Sequence, residues 1–136
     1  MNVDAFLEKF TSWARAQSDI EGVALVGSHA RGAANKDSDV DLIILVSNAR
    51  PYFGNREWLS LFGELERSQI ETWGPVETVR AFYRREFEVE YNFCPLSWAD
   101  VPVDAGTSRV VNDGMKILFG HGYSLTFSFQ PPPRAL

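Results

Sequence analysis

Apolar residues recur at helical spacing at the start of the chain and form short continuous runs further on. Phe6 and Phe10 belong to a 3.6-residue pattern that predicts an amphipathic helix over about residues 4–17. Two apolar runs follow, EGVALVG at residues 21–27 and DVDLIILV at residues 39–46. Each run is short and almost free of polar residues after its start, which predicts two buried neighbouring strands.

The next part of the chain contains turn-forming residues and then a second apolar pattern. Proline, glycine and asparagine over residues 48–55 predict a loop. The spacing of Trp58, Phe62 and Leu65 predicts a second helix, for which Asn55 is a suitable N-cap.

Two aromatic-rich segments then predict a pair of antiparallel strands. GPVETVRAFY and FEVEYNFC alternate in places and are separated by a short polar turn at residues 84–86. Side chains two apart on a strand share a face, so Glu88, Glu90 and Asn92 are expected on one side. Further on, SWAD and GTSRVVNDG predict short helices, and MKILFG predicts a last strand.

This order predicts an α+β fold in which a mixed β-sheet is flanked by helices. The whole chain has 136 residues, and this length fits one domain, which we place at residues 1–130. The proline-rich end, residues 131–136, is expected to be an extended or disordered tail.

Composition limits the classes of protein that fit. Hydrophobic residues make up 45% of the chain, as in a folded domain, and the net charge of −5 argues against general nucleic-acid binding. Cys94 is the only cysteine, which favours a reducing, cytoplasmic location. The first residues do not resemble a signal peptide, and no apolar run is long enough to span a membrane.

Asp39 and Asp41 alternate at the head of the second apolar run. On a strand their side chains share one face, roughly 6.5 to 7 Å apart along the backbone. Carboxylates this close repel each other at the edge of a core, and a divalent cation would remove the repulsion. Mg²⁺ binds a few carboxylates together with substrate phosphates, so the pair predicts a metal site for phosphoryl chemistry.

A Gly-Ser pair at the end of the first apolar run is suited to binding phosphate. Gly27 has no Cβ, so a ligand can approach the backbone closely there, and the Ser28 hydroxyl and nearby N–H groups can donate hydrogen bonds. Arg31 and Lys36, in the segment before the aspartates, can neutralise further negative charge. Either motif alone is common in ordinary turns, but their combination in this order is far more specific.

The chain resembles the DNA polymerase β-like nucleotidyltransferases, and the residues that carry this resemblance are Gly27-Ser28, a ten-residue spacer and Asp39-Val40-Asp41. The intervening ARG and DSDVDL resemble the small, minimal branch of that superfamily. The resemblance implies that Gly27 and Ser28 bind a triphosphate and that the two aspartates, with a third carboxylate, hold two Mg²⁺ ions.

The resemblance implies that the third carboxylate lies on the strand FEVEYNF, as Glu90 or Glu88. We favour Glu90, because it lies mid-strand, where an unpaired carboxylate would be costly. Glu88 is nearer the polar turn, where water or Arg85 would accompany it.

The resemblance implies a Mg²⁺-dependent nucleotidyltransferase that uses ATP or another NTP and transfers a nucleotidyl group, AMP being the expected one. The acceptor is a hydroxyl on a small molecule or a protein. Few residues follow Cys94, so a second copy of the chain or a partner protein is left to complete the acceptor site. The alternatives are an antitoxin-like protein that acts on a partner toxin and an inactive nucleotide-binding module.

Other chemically capable residues have simpler explanations. Cys94 lacks the context of a catalytic triad and is expected to pack as a small apolar residue. Arg80 and Arg84 can steer an anionic substrate but are expected to be exposed charges of a hairpin. His29 has two interpretations, contact with the substrate or exposure to solvent. Trp58 is expected in the core or at an interface, with a place in the lining of a pocket as the alternative.

Overall fold

The computed structural model describes residues 3–27, 39–73, 76–84, 87–96 and 115–120. The short helices expected within residues 97–114 and the expected tail lie outside these ranges. The helices of the described part are α1 (Val3–Arg15), α2 (Arg50–Gly54) and a 3₁₀ helix (Glu57–Leu61). The strands are β1 (Ile20–Val26), β2 (Val40–Val46), β3 (Leu65–Trp73), β4 (Val76–Tyr83), β5 (Glu88–Pro95) and β6 (Met115–Gly120).

The six strands form one mixed sheet in the order β3-β4-β5-β2-β1-β6. β2 and β5 pair in parallel, and the other neighbours in the sheet pair antiparallel. The predicted α+β fold with a mixed sheet is therefore confirmed. The parallel pair lies at the centre of the sheet and brings together two strands that are far apart in the chain.

One face of this sheet carries the hydrophobic core, because alternate residues of each strand point to it. α1 contributes Phe6, Phe10 and Ala14, which repeat every four residues and are fully buried. The strands contribute mostly branched and aromatic side chains to the same cluster: Val23, Leu25, Val40, Leu42, Ile44, Val79, Ala81, Val89, Tyr91 and Phe93. Burying this face fixes the register of β2 and β5, because a shift by one residue would place their polar side chains in the core.

Aromatic rings join the helical elements to the sheet. Phe62 packs edge-on against Phe10, with ring centroids 5.3 Å apart. Trp58 stacks on Trp13 at 5.3 Å, and its indole N–H donates a hydrogen bond to the Tyr52 carbonyl oxygen. These contacts confirm the expectation that Trp58 belongs to the core, although it also lines a cavity of about 520 Å³ on this side of the sheet.

The second predicted helix was wrong. Trp58 lies in the 3₁₀ helix, which ends at Leu61, and the chain then enters β3 at Leu65. Leu61 is 48% exposed, so the apolar spacing does not form one continuous buried stripe. Pairing with β4 over the whole length of β3 satisfies the backbone of this segment instead.

The predicted loop at residues 48–55 was also wrong in part, since it contains the short helix α2. Pro51 lies in the first turn of α2, where its missing N–H costs nothing. Asn55 accepts a hydrogen bond from the Glu57 backbone N–H at 2.9 Å, so it does help to start the 3₁₀ helix. Among the described residues, no helix is long and apolar enough to cross a membrane.

Candidate active site

Acidic side chains line the sheet face opposite the core, where β2 and β5 begin. Asp41 of β2 lies directly opposite Glu90 of β5 in the parallel register. Both residues are nearly inaccessible, with 7% of Asp41 and 2% of Glu90 exposed. Asp39 and Glu88 precede them by two residues: Asp39 lies just before β2, and Glu88 is the first residue of β5. The sequence of β2 therefore buries Val40 and Leu42 in the core while it holds its aspartates on the other face.

We call Asp39, Asp41, Glu88 and Glu90 the acidic cluster. Among the residues that the structure describes, Arg80 of β4 is the cation that contacts this cluster. Arg80 lies opposite Glu90 in the antiparallel register of β4 and β5. Its Nη1 is 2.8 Å from Glu88 Oε2 and 3.7 Å from Asp39 Oδ2, and its Nη2 is 2.9 Å from Glu90 Oε1.

Glu71 of β3 holds the same guanidinium from the other side. Its Oε2 accepts a hydrogen bond from Arg80 Nε at 3.2 Å, and its Oε1 accepts a longer one from Nη2 at 3.4 Å. Gln69 also donates to Glu71 Oε2, at 2.7 Å. Only 20% of the Arg80 side chain is exposed, so these charge-assisted contacts are shielded from bulk water.

The electrostatic cost of the cluster is greatest at Glu90. Burial raises the pKa of Glu90 from 4.5 to about 7, Arg80 opposes the rise, and the charges of Asp39, Glu88 and Glu71 add to it. Burial also raises the pKa of Glu88, and its hydrogen bond to Asp39 adds to the rise. Arg80 therefore neutralises the cluster only in part, and the remaining negative charge favours binding of a further cation.

A buried series of side-chain hydrogen bonds orients Asp41. The Asn92 side chain donates from Nδ2 to Asp41 Oδ1 at 3.3 Å and to the Leu42 carbonyl oxygen at 2.9 Å. The Asn92 Oδ1 atom in turn accepts a hydrogen bond from the Thr78 hydroxyl at 2.6 Å. Asn92 and Thr78 are both buried, so this series of hydrogen bonds fixes the direction in which the Asp41 carboxylate points.

Gly27 ends β1 beside Asp41. Its φ angle is +79°, a left-handed conformation that residues with a side chain rarely adopt. A Cβ atom at this position would lie 3.2 Å from Asp41 Oδ2. Glycine is therefore required here for two reasons, the turn itself and the close approach of a carboxylate oxygen.

Two carboxylates of the acidic cluster fit a divalent cation by their chemistry. Asp41 and Glu90 present anionic oxygens from adjacent strands at a buried position, and hard oxygen ligands are those that Mg²⁺ prefers. Within the residues that the structure describes, however, no three His, Cys, Asp or Glu side chains form a ready-made metal site. Glu90 contacts Arg80, and Asp41 accepts a hydrogen bond from Asn92.

The sequence prediction thus has three outcomes. The structure brings together Asp39, Asp41 and Glu90, and it places Gly27 next to them. Ser28, Arg31, Lys36, His29 and Arg85 lie outside the described residues. The expectation that Arg80 is an exposed hairpin charge was wrong, because its side chain lies against the acidic cluster.

Sequence reasoning missed Arg80 and the role of Asn92 for the same reason. Their partners come from other strands, and only the register of β3, β4 and β5 brings them together. The signal that was present is the identity of the residues, an arginine at an inner strand position and an asparagine two residues after Glu90. Cys94, in contrast, is fully buried as expected.

A family model described as streptomycin adenylyltransferase matches residues 2–92, which includes the whole of β1 and β2 and most of β5. The chain belongs to the streptomycin adenylyltransferase family. The matched range contains Gly27, both aspartates and Glu90, and the predicted resemblance to polymerase β-like nucleotidyltransferases is confirmed. No curated protein matches the sequence significantly.

Two solved structures are similar to this family member. The aminoglycoside 6-adenyltransferase from Bacillus subtilis is 13% identical, with a TM-score of 0.55 over 79% of this chain and 50% of that chain. The Cid1 poly(U) polymerase is 20% identical, with a TM-score of 0.47 over 68% of this chain and 32% of that chain. The chain thus spans half the length of the first of these proteins, which shares its fold.

Proposed function

We propose that the chain is a Mg²⁺-dependent nucleotidyltransferase that transfers a nucleotidyl group, AMP, from an NTP to a hydroxyl acceptor. Membership of an adenylyltransferase family supports nucleotidyl transfer as the class of reaction. The observation that carries the proposal is the position of Asp41 and Glu90, which lie buried and opposite each other on adjacent strands. Burying two carboxylates is costly, and a cation-dependent reaction gives a reason for it.

Asp39, Asp41 and Glu90 are the residues that would hold the metal ions. Two bound Mg²⁺ ions would supply charge neutralisation for the attacking and leaving oxygens of the displacement. The chain's own contribution is rigidity, because β2 and β5 are central strands and Asn92 orients Asp41. Reactions of this kind are accelerated mostly by positioning and electrostatics.

Gly27 would allow the nucleotide phosphates to approach the backbone at the end of β1, next to Asp41. Ser28, Arg31 and Lys36 are the residues that we propose to bind the triphosphate. The acceptor oxygen would form a bond to the α-phosphorus while the bond from that phosphorus to pyrophosphate breaks. A carboxylate of the acidic cluster would take the proton of the acceptor hydroxyl.

The test is incubation of the purified protein with each α-labelled NTP, Mg²⁺ and a cell extract. We expect label from one preferred nucleotide, ATP, to appear on an acceptor as pyrophosphate is released. Labelled protein bands would identify a protein acceptor, and labelled small molecules would identify the other class. The doubly substituted Asp39→Asn, Asp41→Asn protein is the control, and equal labelling by both proteins would refute the proposal.

A matched pair of variants tests the third carboxylate. Glu90 lies opposite Asp41 and is almost fully buried, whereas Glu88 lies nearer the start of β5 and is more exposed. We expect Glu90→Gln to lower turnover by orders of magnitude with a modest loss of nucleotide binding, and Glu88→Gln to retain much of the activity. The reverse ranking in a steady-state assay would assign the role to Glu88.

A further inference from the structure

Arg80 has all three nitrogens of its guanidinium engaged by carboxylates. Nε bonds Glu71, Nη1 contacts Glu88 and Asp39, and Nη2 bonds Glu90. The guanidinium therefore bridges β2, β3 and β5 from its own position on β4. Such a side chain cannot be treated as a solvated surface charge, because four negative groups from three other strands converge on it.

A divalent cation and this guanidinium would use the same oxygen atoms. Glu90 Oε1 accepts a hydrogen bond from Arg80 at 2.9 Å, and a metal ligand must direct a lone pair to the ion. A divalent ion and a guanidinium that shared one carboxylate would also repel each other, by several kcal/mol at the effective dielectric of a protein site. A metal ion bound by Glu90 and Asp39 would therefore compete with Arg80 in its present position.

Glu71 gives Arg80 a partner outside the proposed metal ligands. It lies on β3, which β4 and β5 separate from β2, and it holds both Nε and Nη2 of the guanidinium. Bonding to Arg80 and Gln69 lowers the pKa of Glu71, so this partner stays ionised. The guanidinium can thus leave Glu90 and Asp39 without leaving the site.

We propose that Arg80 is a positioning residue that neutralises the acidic cluster as an internal cation and yields Glu90 and Asp39 to entering divalent ions. Glu71 retains the guanidinium at the site throughout this exchange. When metal is scarce, the charge of Arg80 offsets the repulsion between carboxylates that would otherwise separate β2 from β5. The same charge weakens metal binding. This inference rests on the metal binding of the proposed function.

The first test measures Mn²⁺ binding without nucleotide, by the electron paramagnetic resonance signal of the free ion. Because Arg80→Met removes the competing charge, we expect it to tighten Mn²⁺ binding about tenfold or more. In EDTA the same variant should melt roughly 10 °C lower than the wild type, since buried carboxylates lose their counter-ion. Arg84→Met is the matched control, because Arg84 is largely exposed and pairs only loosely with Glu64, at 3.6 Å.

The wild-type protein provides a second readout that needs no stable variant. The Nε–Hε NMR signal of Arg80, assigned in the wild-type protein by through-bond correlation to its backbone, should shift during Mg²⁺ titration while the Arg84 signal stays in place. Unchanged or weaker Mn²⁺ binding by Arg80→Met, or an Arg80 signal that ignores Mg²⁺, would overturn the inference. Mn²⁺ binding that is equal in wild type and in Asp39→Asn, Asp41→Asn would instead overturn the metal site itself, and both proposals with it.

Discussion

Replacement of Glu90 by glutamine should make the metal-free protein more stable at neutral and alkaline pH. The folded protein raises the pKa of Glu90 from 4.5 to about 7, chiefly by burial, even though Arg80 is bonded to it. The folded state therefore binds a proton more tightly than the unfolded state does. The stability linked to that proton is full below pH 4.5 and is lost as pH rises through 7.

The magnitude follows from the size of the pKa change. A rise in the pKa from 4.5 to about 7 corresponds to roughly 3 kcal/mol in the free energy of unfolding. Roughly 2.5 kcal/mol of this stability is lost between pH 5 and pH 8. Glu90→Gln keeps the shape of the protonated side chain but cannot ionise, so the variant does not lose this stability. For a chain of this size the gain over wild type at pH 8 should be roughly 10 °C in melting temperature.

The assay is thermal unfolding of both proteins in EDTA at pH 5 and pH 8, followed by circular dichroism. Glu71→Gln is a control of opposite sign, because bonding to Arg80 lowers the pKa of Glu71. Glu71→Gln should be less stable than wild type by nearly the same amount at pH 5 and pH 8, because the pKa of Glu71 lies below 4.5 and its stability is lost only in more acidic solution, whereas Glu90→Gln should gain stability relative to wild type between these two pH values. If Glu90→Gln melts at or below wild type at both pH values, Arg80 compensates the burial fully and the reasoning is refuted.

Three further predictions concern the neighbours of Glu90. Mg²⁺ with ATP should raise the melting temperature of wild type but not that of the double variant Asp39→Asn, Asp41→Asn, and an equal rise in the two proteins would contradict metal binding by these aspartates. Without metal, the double variant should melt higher than wild type, because the repulsion between the two carboxylates is relieved. Gly27→Ala should cost about 1–2 kcal/mol in stability and a larger factor in ATP affinity measured by calorimetry, and unchanged affinity in a folded variant would exclude phosphate approach at this turn. Asn92→Ala should weaken Mn²⁺ binding roughly 10- to 100-fold through loss of Asp41 orientation, and an unaltered dissociation constant would show that Asp41 does not need this bond.

The parts of the fold that the sequence predicts are those with a local pattern. β1, β2, β4 and β5 have short apolar or alternating runs, and α1 has apolar residues at every third or fourth position, so all five elements lie where we expected them. β3 has no such pattern, because both of its faces are largely polar and its ladder with β4 supplies its order. Trp58 and Phe62, which precede it, mimic a helical stripe although they belong to a 3₁₀ turn and its end.

The candidate site divides in the same way. Asp39, Asp41 and Gly27 are predictable because a motif and its spacing are visible in a single stretch of chain. The choice of Glu90 over Glu88, which stays a prediction, rests on position along one strand, because alternation places both residues on the same face. The contact of Arg80 with four carboxylates depends on the registers of three strand pairs, and no spacing within one segment encodes it.

The parallel pairing of β2 with β5 also has a consequence for how the protein folds. The chain forms α2, the 3₁₀ helix, β3 and β4 between these two strands, so their pairing closes a long loop, whereas β3, β4 and β5 follow one another as a local antiparallel meander. Contacts between distant segments form late, because their loop-closure entropy must be overcome first. Asp41 and Glu90 face each other across this seam, so the acidic cluster can assemble only after both halves of the sheet have docked. During synthesis, a ribosome must therefore release the chain beyond β5 before any nascent protein can acquire the site.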